Sequence, residues 1–176
     1  MASNSNNYEY FKQESIVITG RFQAYVDTMW VQNKIQESLF KRLVDLYAVA
    51  AIVGFRIGRK LDDDKSGNLA RTIQMDQLRQ NLSVYTTIMK VILLLDESRG
   101  LSAEDRVKSA FKPPETQEEY QSNMELFHSY ARGGIEFLHQ QLVEKGISLD
   151  GPYSDCVDPN MSKILDFLSL PLEEQS

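Results

Sequence analysis

Apolar residues recur at intervals of three and four along much of the chain, and this spacing predicts helices. The clearest run extends from Lys34 to about Gly58, and its second half is apolar almost all the way round. A helix with apolar residues on every side is typical of a central element that several neighbours bury. The main face consists of Ile35, Leu39, Leu43, Leu46, Tyr47, Ala50, Val53 and Ile57. We therefore predict that this helix lies at the centre of the fold.

Two further long helices are predicted over residues 76–97 and 117–145. Thr116 opens the second one with a capping box, which satisfies backbone N–H groups of the first turn. Gly133 and Gly134 lie in the middle of this helix, where two glycines cost about 2 kcal/mol relative to two alanines. We expect the helix to bend there or to cross a neighbour closely.

Shorter elements are predicted between the long helices and near both ends of the chain. Residues 102–111 and 158–170 each follow a helix-starting residue and are predicted to be helical. Residues 16–19 are predicted to form a strand, whereas residues 22–30 fit either a helix or an extended segment. The predicted fold class is mainly α: a single-domain helical bundle with three long helices, two shorter ones and at most a minor N-terminal strand or hairpin.

The length and composition agree with one globular domain. The chain has 176 residues, of which 42% are hydrophobic and 25% are charged, and such values are typical of soluble domains. An Asn/Ser-rich beginning cannot bury much apolar surface. We therefore predict a partly disordered arm over residues 1–14 and a single helical domain over residues 15–176.

Few residues are suited to metal binding or catalysis. Cys156 is the only cysteine, which excludes a disulfide within the chain and any site built from several cysteines. His128 and His139 would lie about 16 Å apart on one helix, too far to share a metal. The chain also lacks a nucleophile–base pair and a phosphate-binding loop, so we predict no catalytic residue, no metal and no cofactor. The reactivity of Cys156 stays open, because a base could come from a distant part of the chain.

One acidic segment matches part of an EF-hand calcium loop. Asp62, Asp64, Ser66 and Gly67 occupy positions 1, 3, 5 and 6 of the loop, but Ile73 replaces the bidentate glutamate of position 12. We predict a solvated turn between two helices that binds no calcium at millimolar concentrations. A calorimetric titration that gave micromolar affinity would contradict this prediction.

No segment is predicted to enter a membrane. The longest apolar runs, residues 48–55 and 91–95, are far shorter than the ~20 residues that span a bilayer. Residues 1–7 are polar and lack the apolar core of a signal peptide. We predict a cytoplasmic protein with no membrane association.

A group of basic residues indicates a candidate nucleic-acid contact. The net charge is −6, so the whole surface is not suited to a polyanion, but Arg56, Arg59, Lys60 and Arg71 could form one local patch if the two long helices pair. The alternative is that these charges cap a helix and are neutralised by the acidic segment next to them.

Aromatic residues are concentrated before the central helix, where they indicate a candidate protein interface. Tyr8, Tyr10, Phe11, Tyr25 and Trp30 belong to segments of uncertain secondary structure. Aromatic side chains are enriched at interfaces because they contribute a large contact area at a small entropic cost. The alternative is that these residues, Trp30 above all, belong to the core.

The segment Leu46–Lys60, with an apolar helix running into Gly-Phe-Arg-Ile-Gly-Arg-Lys, resembles small helical proteins of bacterial phage-defence clusters. These include accessory proteins of DNA phosphorothioation systems. The resemblance implies a non-enzymatic accessory subunit that works beside a nucleic-acid-processing machine, and it carries over no functional residue.

The favoured function is therefore that of a non-enzymatic adaptor that docks onto a larger protein complex. A small nucleic-acid-binding module is the alternative, and an enzyme or ligand sensor is a third class. The predicted partner is a protein, with a nucleic acid or a second copy of this chain as the other candidates.

Overall fold

The computed structural model describes residues 8–30 and 38–144, and these residues are mainly α-helical. In chain order the elements are β1 (Ile16–Thr19), α1 (Gly20–Met29), α2 (Leu43–Arg56), β2 (Ala70–Ile73), α3 (Met75–Gln80), α4 (Leu82–Leu95), α5 (Ala103–Phe111) and α6 (Gln117–His139). A π-helical turn, Gln140–Glu144, continues α6. The predicted mainly-α, single-domain class is confirmed. The predicted helix over residues 158–170 and Cys156 lie outside the described residues.

Helices α2 and α6 pack together at glycines and form the centre of the core. A Cβ atom on Gly134 would lie 1.8 Å from the carbonyl oxygen of Ala50, and one on Gly54 would lie 1.9 Å from that of Tyr130. Only glycine at these positions lets the two backbones come so close. Helix α6 continues without a break through Gly133 and Gly134, so the two glycines serve a close crossing.

The described part of the predicted arm is packed against the domain. Phe11 is buried, and its ring centre lies 5.1 Å from that of Tyr85 and 4.9 Å from that of Phe127. Its backbone φ of 63° is unusual for a bulky residue. Burial of the ring in an aromatic cluster offsets that cost.

Two predicted helix boundaries were wrong. Residues 38–42 are not helical, because the backbone N–H of Phe40 bonds to the carbonyl of Met29 at the end of α1. The helix predicted over residues 76–97 is divided into α3 and α4 at Asn81. The amide of Asn81 donates to the carbonyl of Gln77 at 2.7 Å, and such a side-chain bond competes with helical backbone bonding.

Strand β1 was predicted, but its partner was not. β1 pairs with β2 in antiparallel register, with Ile16 opposite Ile73 and Thr19 opposite Ala70. Strand β2 follows the acidic segment directly, so this segment does not lie between two helices, as predicted. No helix among the described residues is long and apolar enough to span a bilayer; the cytoplasmic location stays a prediction.

Candidate protein-docking groove

A groove of about 460 Å³ lies between the N-terminal segment, α4 and the end of α5. We call it the α4–α5 groove. Its aromatic and aliphatic lining includes Tyr8, Tyr10, Leu82, Phe111 and the pair Pro113 and Pro114. Apolar concave surfaces of this kind are typical of binding sites for ligands or peptide segments.

One wall of the groove is held by packing onto α6. The ring centres of Tyr8 and Tyr10 lie 5.8 Å and 5.7 Å from that of Tyr120. The hydroxyl of Tyr10 accepts a hydrogen bond of 2.7 Å from the amide of Asn123, which is buried. Burial raises the pKa of Tyr10 and raises the pKa of Tyr120 to about 12. Both phenols are therefore neutral at physiological pH.

The opposite wall forms where α5 ends. Pro113 and Pro114 cannot continue the helix, and Phe111 is left with 64% of its surface exposed. The ammonium group of Lys90 on α4 lies 5.8 Å from the centre of the Phe111 ring. An exposed phenylalanine with a cation over its ring provides an apolar surface on which a side chain of a partner could pack.

The groove is positively charged, although the chain as a whole is acidic. Three lysines and one glutamate line it, namely Lys12, Lys90, Lys112 and Glu9. Lys12 pairs with Glu9 at 2.8 Å, whereas no described carboxylate forms an ion pair with Lys90 or Lys112. The two remaining lysines give the groove a local positive charge that a net charge of −6 does not predict.

An exposed apolar stripe runs along α4 next to the groove. Val84, Val91 and Leu95 are 51%, 42% and 57% exposed and lie on one face of the helix, with Thr87 between them. A helix face in contact with water usually carries charged residues instead.

The five aromatic residues predicted to form one interface lie in different parts of the structure. Tyr8 and Tyr10 line the α4–α5 groove, but Phe11 is a core residue and is not available on the surface. Tyr25 stacks on His139 with ring centres 4.3 Å apart, and Trp30 is half-buried against the core. These last two do not line the groove.

The four basic residues predicted to form one patch lie in different surroundings. Arg71 makes a bidentate ion pair with Asp27, with distances of 2.6 Å and 2.8 Å. Arg59 lies 3.6 Å from Glu136, and the ammonium group of Lys60 lies 5.6 Å from the centre of the Tyr130 ring. Arg56 is exposed at the end of α2. Arg71 is therefore bound to Asp27 of α1, and Arg59 lies next to a different carboxylate. The two arginines do not form one charged patch.

The acidic segment holds the junction between β1 and α1. The Asp64 carboxylate accepts backbone hydrogen bonds of 2.9 Å from Ser66 and 2.8 Å from Arg21, and the bonds from Ser66 and Arg21 lower its pKa to about 2. Gly20 has a φ of 59°, and a Cβ there would lie 2.3 Å from Cγ of Asp64. Within the described residues no cluster of three metal-ligating side chains occurs.

Sequence reasoning missed Phe111, Lys90 and Lys112 as parts of one surface. The run Phe111-Lys-Pro-Pro114 carried a signal, because an aromatic residue two positions before a pair of prolines lies at the end of a helix. Lys90 lies more than twenty residues earlier, so only the pairing of α4 with α5 joins it to this run.

No known protein family, curated protein or solved structure matches the chain. The resemblance of Leu46–Lys60 to phage-defence accessory proteins therefore stays a prediction.

Proposed function

We propose that this protein is a non-enzymatic adaptor that binds an acidic segment of a larger partner protein in the α4–α5 groove. The observation that carries the proposal is an apolar, aromatic-lined groove with two lysines that no described carboxylate neutralises. Apolar contact supplies affinity in such a site, and the lysines select the charge of the partner.

The chemistry of the groove specifies the occupant. Phe111 and Pro113, which are both exposed and line the groove, would contact an aromatic or aliphatic side chain. Lys90 and Lys112 would contact aspartate or glutamate next to that anchor. The acidic remainder of the domain would repel the same segment elsewhere, which favours binding in one place.

The walls are organised for binding before a partner arrives. Tyr10 is held by Asn123 and by Tyr120, and Phe11 anchors the segment behind it. A wall fixed in this way loses little conformational entropy on binding. The exposed stripe of Val84, Val91 and Leu95 would extend the contact along α4.

A peptide-display selection on the purified protein tests the proposal. We expect enrichment of peptides that combine acidic residues with an aromatic or large aliphatic residue. The double variant Lys90→Glu and Lys112→Glu should weaken the selected peptides at least about tenfold, because like charges then face each other. Lys65→Glu with Lys108→Glu is the matched control, since both lysines are exposed and neither lines the groove.

Equal peptide affinity in both double variants would contradict the proposal.

The resemblance of residues 46–60 suggests a larger partner in a bacterial phage-defence cluster, as part of this proposal. The nucleic-acid alternative predicts instead that Arg56→Glu with Arg59→Glu lowers the amount of nucleic acid that co-purifies, without an effect on peptide binding.

A further inference from the structure

A smaller cavity lies along β1 and shares no lining residue with the α4–α5 groove. Its volume is about 150 Å³. Residues 15–19 line it in an unbroken row, and side chains of consecutive strand residues point to opposite faces of a sheet. A cavity that touches all of them therefore lies at the edge of the strand. The polar side chains around it are Ser15, Thr19, Tyr47, Asp63, Glu125, His128 and Arg132.

The edge of β1 offers hydrogen-bonding groups to this cavity. β1 pairs with β2 on one side only, and in an antiparallel pair alternate residues direct N–H and C=O away from the partner strand. None of the described residues forms a backbone hydrogen bond with that outer edge. An extended group in the cavity could therefore pair with the strand.

His128 adds a hydrogen-bond donor of defined position. Its Nδ1 lies 2.9 Å from the hydroxyl of Tyr47, and this buried hydroxyl has no other described acceptor. We assign the hydroxyl as the donor to Nδ1, which places the proton of the neutral imidazole on Nε2. Burial lowers the pKa of His128 to about 4 and keeps the ring neutral at pH 7. No described residue accepts a hydrogen bond from Nε2.

The charges around the cavity favour a cation. Arg132 is buried, donates from Nε to the carbonyl of Leu61 at 2.9 Å and also bonds to Glu125. Asp63 is exposed on the rim, and its nearest described partner is the Thr19 hydroxyl at 3.5 Å. Among the charged side chains that line the cavity there are thus two carboxylates and one guanidinium.

We propose that the cavity binds an aminoacyl group, meaning a primary ammonium next to a carbonyl, as in an amino-acid amide or the first residue of a peptide. The ammonium would contact Asp63 and Glu125, the carbonyl would accept from Nε2 of His128, and the following amide would pair with β1. An apolar cavity of about 150 Å³ holds benzene, with its six heavy atoms, and alaninamide has the same number. The site is separate from the α4–α5 groove, so either proposal can fail alone.

Calorimetric titration with alaninamide, N-acetylalaninamide and n-propylamine tests the site. We expect saturable binding of alaninamide and at least about tenfold weaker binding of the other two, since N-acetylalaninamide lacks the ammonium and n-propylamine lacks both the carbonyl and the amide. Asp63→Asn should lose about tenfold in alaninamide affinity, whereas Asp62→Asn, an exposed neighbour outside the cavity, should bind like the wild type.

A His128→Asn variant separates the carbonyl contact from the ammonium contact. It should reduce the preference for alaninamide over n-propylamine, and a thermal melt checks that it is folded. Because Asp63 is exposed, its variant tests the proposal even if the His128 variant does not fold. Equal binding of alaninamide and N-acetylalaninamide, or no binding of either at about 50 mM, a range where even weak sites fill, would overturn the proposal. Trialaninamide distinguishes the sources, because tighter binding than alaninamide indicates a peptide and weaker binding a free amide.

Discussion

The α2–α6 crossing and the α4–α5 groove both contain apolar residues, but these are buried at the crossing and exposed at the groove. At the crossing, Gly54 and Gly134 bring two backbones together and leave no space for a side chain. At the groove, Phe111 and the α4 stripe are equally apolar but have water where the crossing has a second helix. Apolar character alone therefore does not distinguish core from surface; the number of neighbouring elements does. Four predictions test this difference, from the largest effect to the smallest.

Gly134→Val should unfold the protein or lower its free energy of unfolding by about 4 kcal/mol or more. The new Cβ would meet the Ala50 carbonyl, which belongs to a helix and cannot move aside alone. Chemical denaturation followed by circular dichroism measures the effect. Gln121→Val, on the exposed side of α6, introduces the same side chain as a control. If Gly134→Val were as stable as that control, the close crossing would be wrong.

Phe11→Ala should cost about 3 kcal/mol, as is usual when a buried phenylalanine is removed. The ring contacts Tyr85 and Phe127 in the core, so its loss leaves a cavity between the N-terminal segment and α6. The same variant should weaken peptide binding in the α4–α5 groove, because the wall with Tyr10 loses its anchor. A loss below about 0.5 kcal/mol, the range of surface substitutions, would show that Phe11 does not hold this wall.

Acid should destabilise the α2–α6 pair through His128. Its pKa is about 4 in the folded protein, against about 6.5 in an unfolded chain. The unfolded chain binds the proton more readily, so stability is complete above pH 6.5 and falls as the pH drops towards 4. We expect a loss of about 2 kcal/mol between pH 7 and pH 5 from this group. In the His128→Gln variant, the free energies of unfolding at pH 7 and pH 5 should differ less than they do in the wild type. A difference as large as that of the wild type would exclude His128 as the cause.

Phe111→Ala should change the free energy of unfolding by no more than about 0.5 kcal/mol. The side chain is 64% exposed and makes its described ring contact with Lys90. Peptides selected on the α4–α5 groove should nevertheless bind this variant much more weakly. The comparison with Phe11→Ala is direct, since the same substitution then separates a core residue from a docking residue. A large loss of stability here would assign Phe111 to the core.

Local signals in the sequence were sufficient for several helix starts. Ser102 accepts a hydrogen bond of 3.1 Å from the N–H of Asp105, and Thr116 accepts one of 3.1 Å from Glu119. These caps involve residues three positions apart, so the sequence contains both partners side by side. Strand β1 was predicted for the same reason, from its short apolar run.

Signals that depend on distant residues were not sufficient. The end of α1 binds the backbone of Phe40 and thereby keeps residues 38–42 out of α2. Strand β2 has little strand pattern of its own and forms because β1 provides a partner more than fifty residues away. The prediction that Phe11 belongs to an interface failed because its burial depends on Tyr85 and Phe127.

At Gly133 and Gly134 the sequence left a bend or a close crossing open, and the packing of α2 on α6 decided for the crossing. The sequence by itself determined the mainly helical class and the central position of the helix around Val53. Each of these follows from spacing or residue type within one segment. The tertiary structure decided which side chains come together in the two candidate sites. It joined Lys90 to Phe111 in one groove and brought Asp63 and His128 to the edge of β1. Those residues come from separate elements, and their proximity depends on helix packing, which the pattern along one segment does not contain.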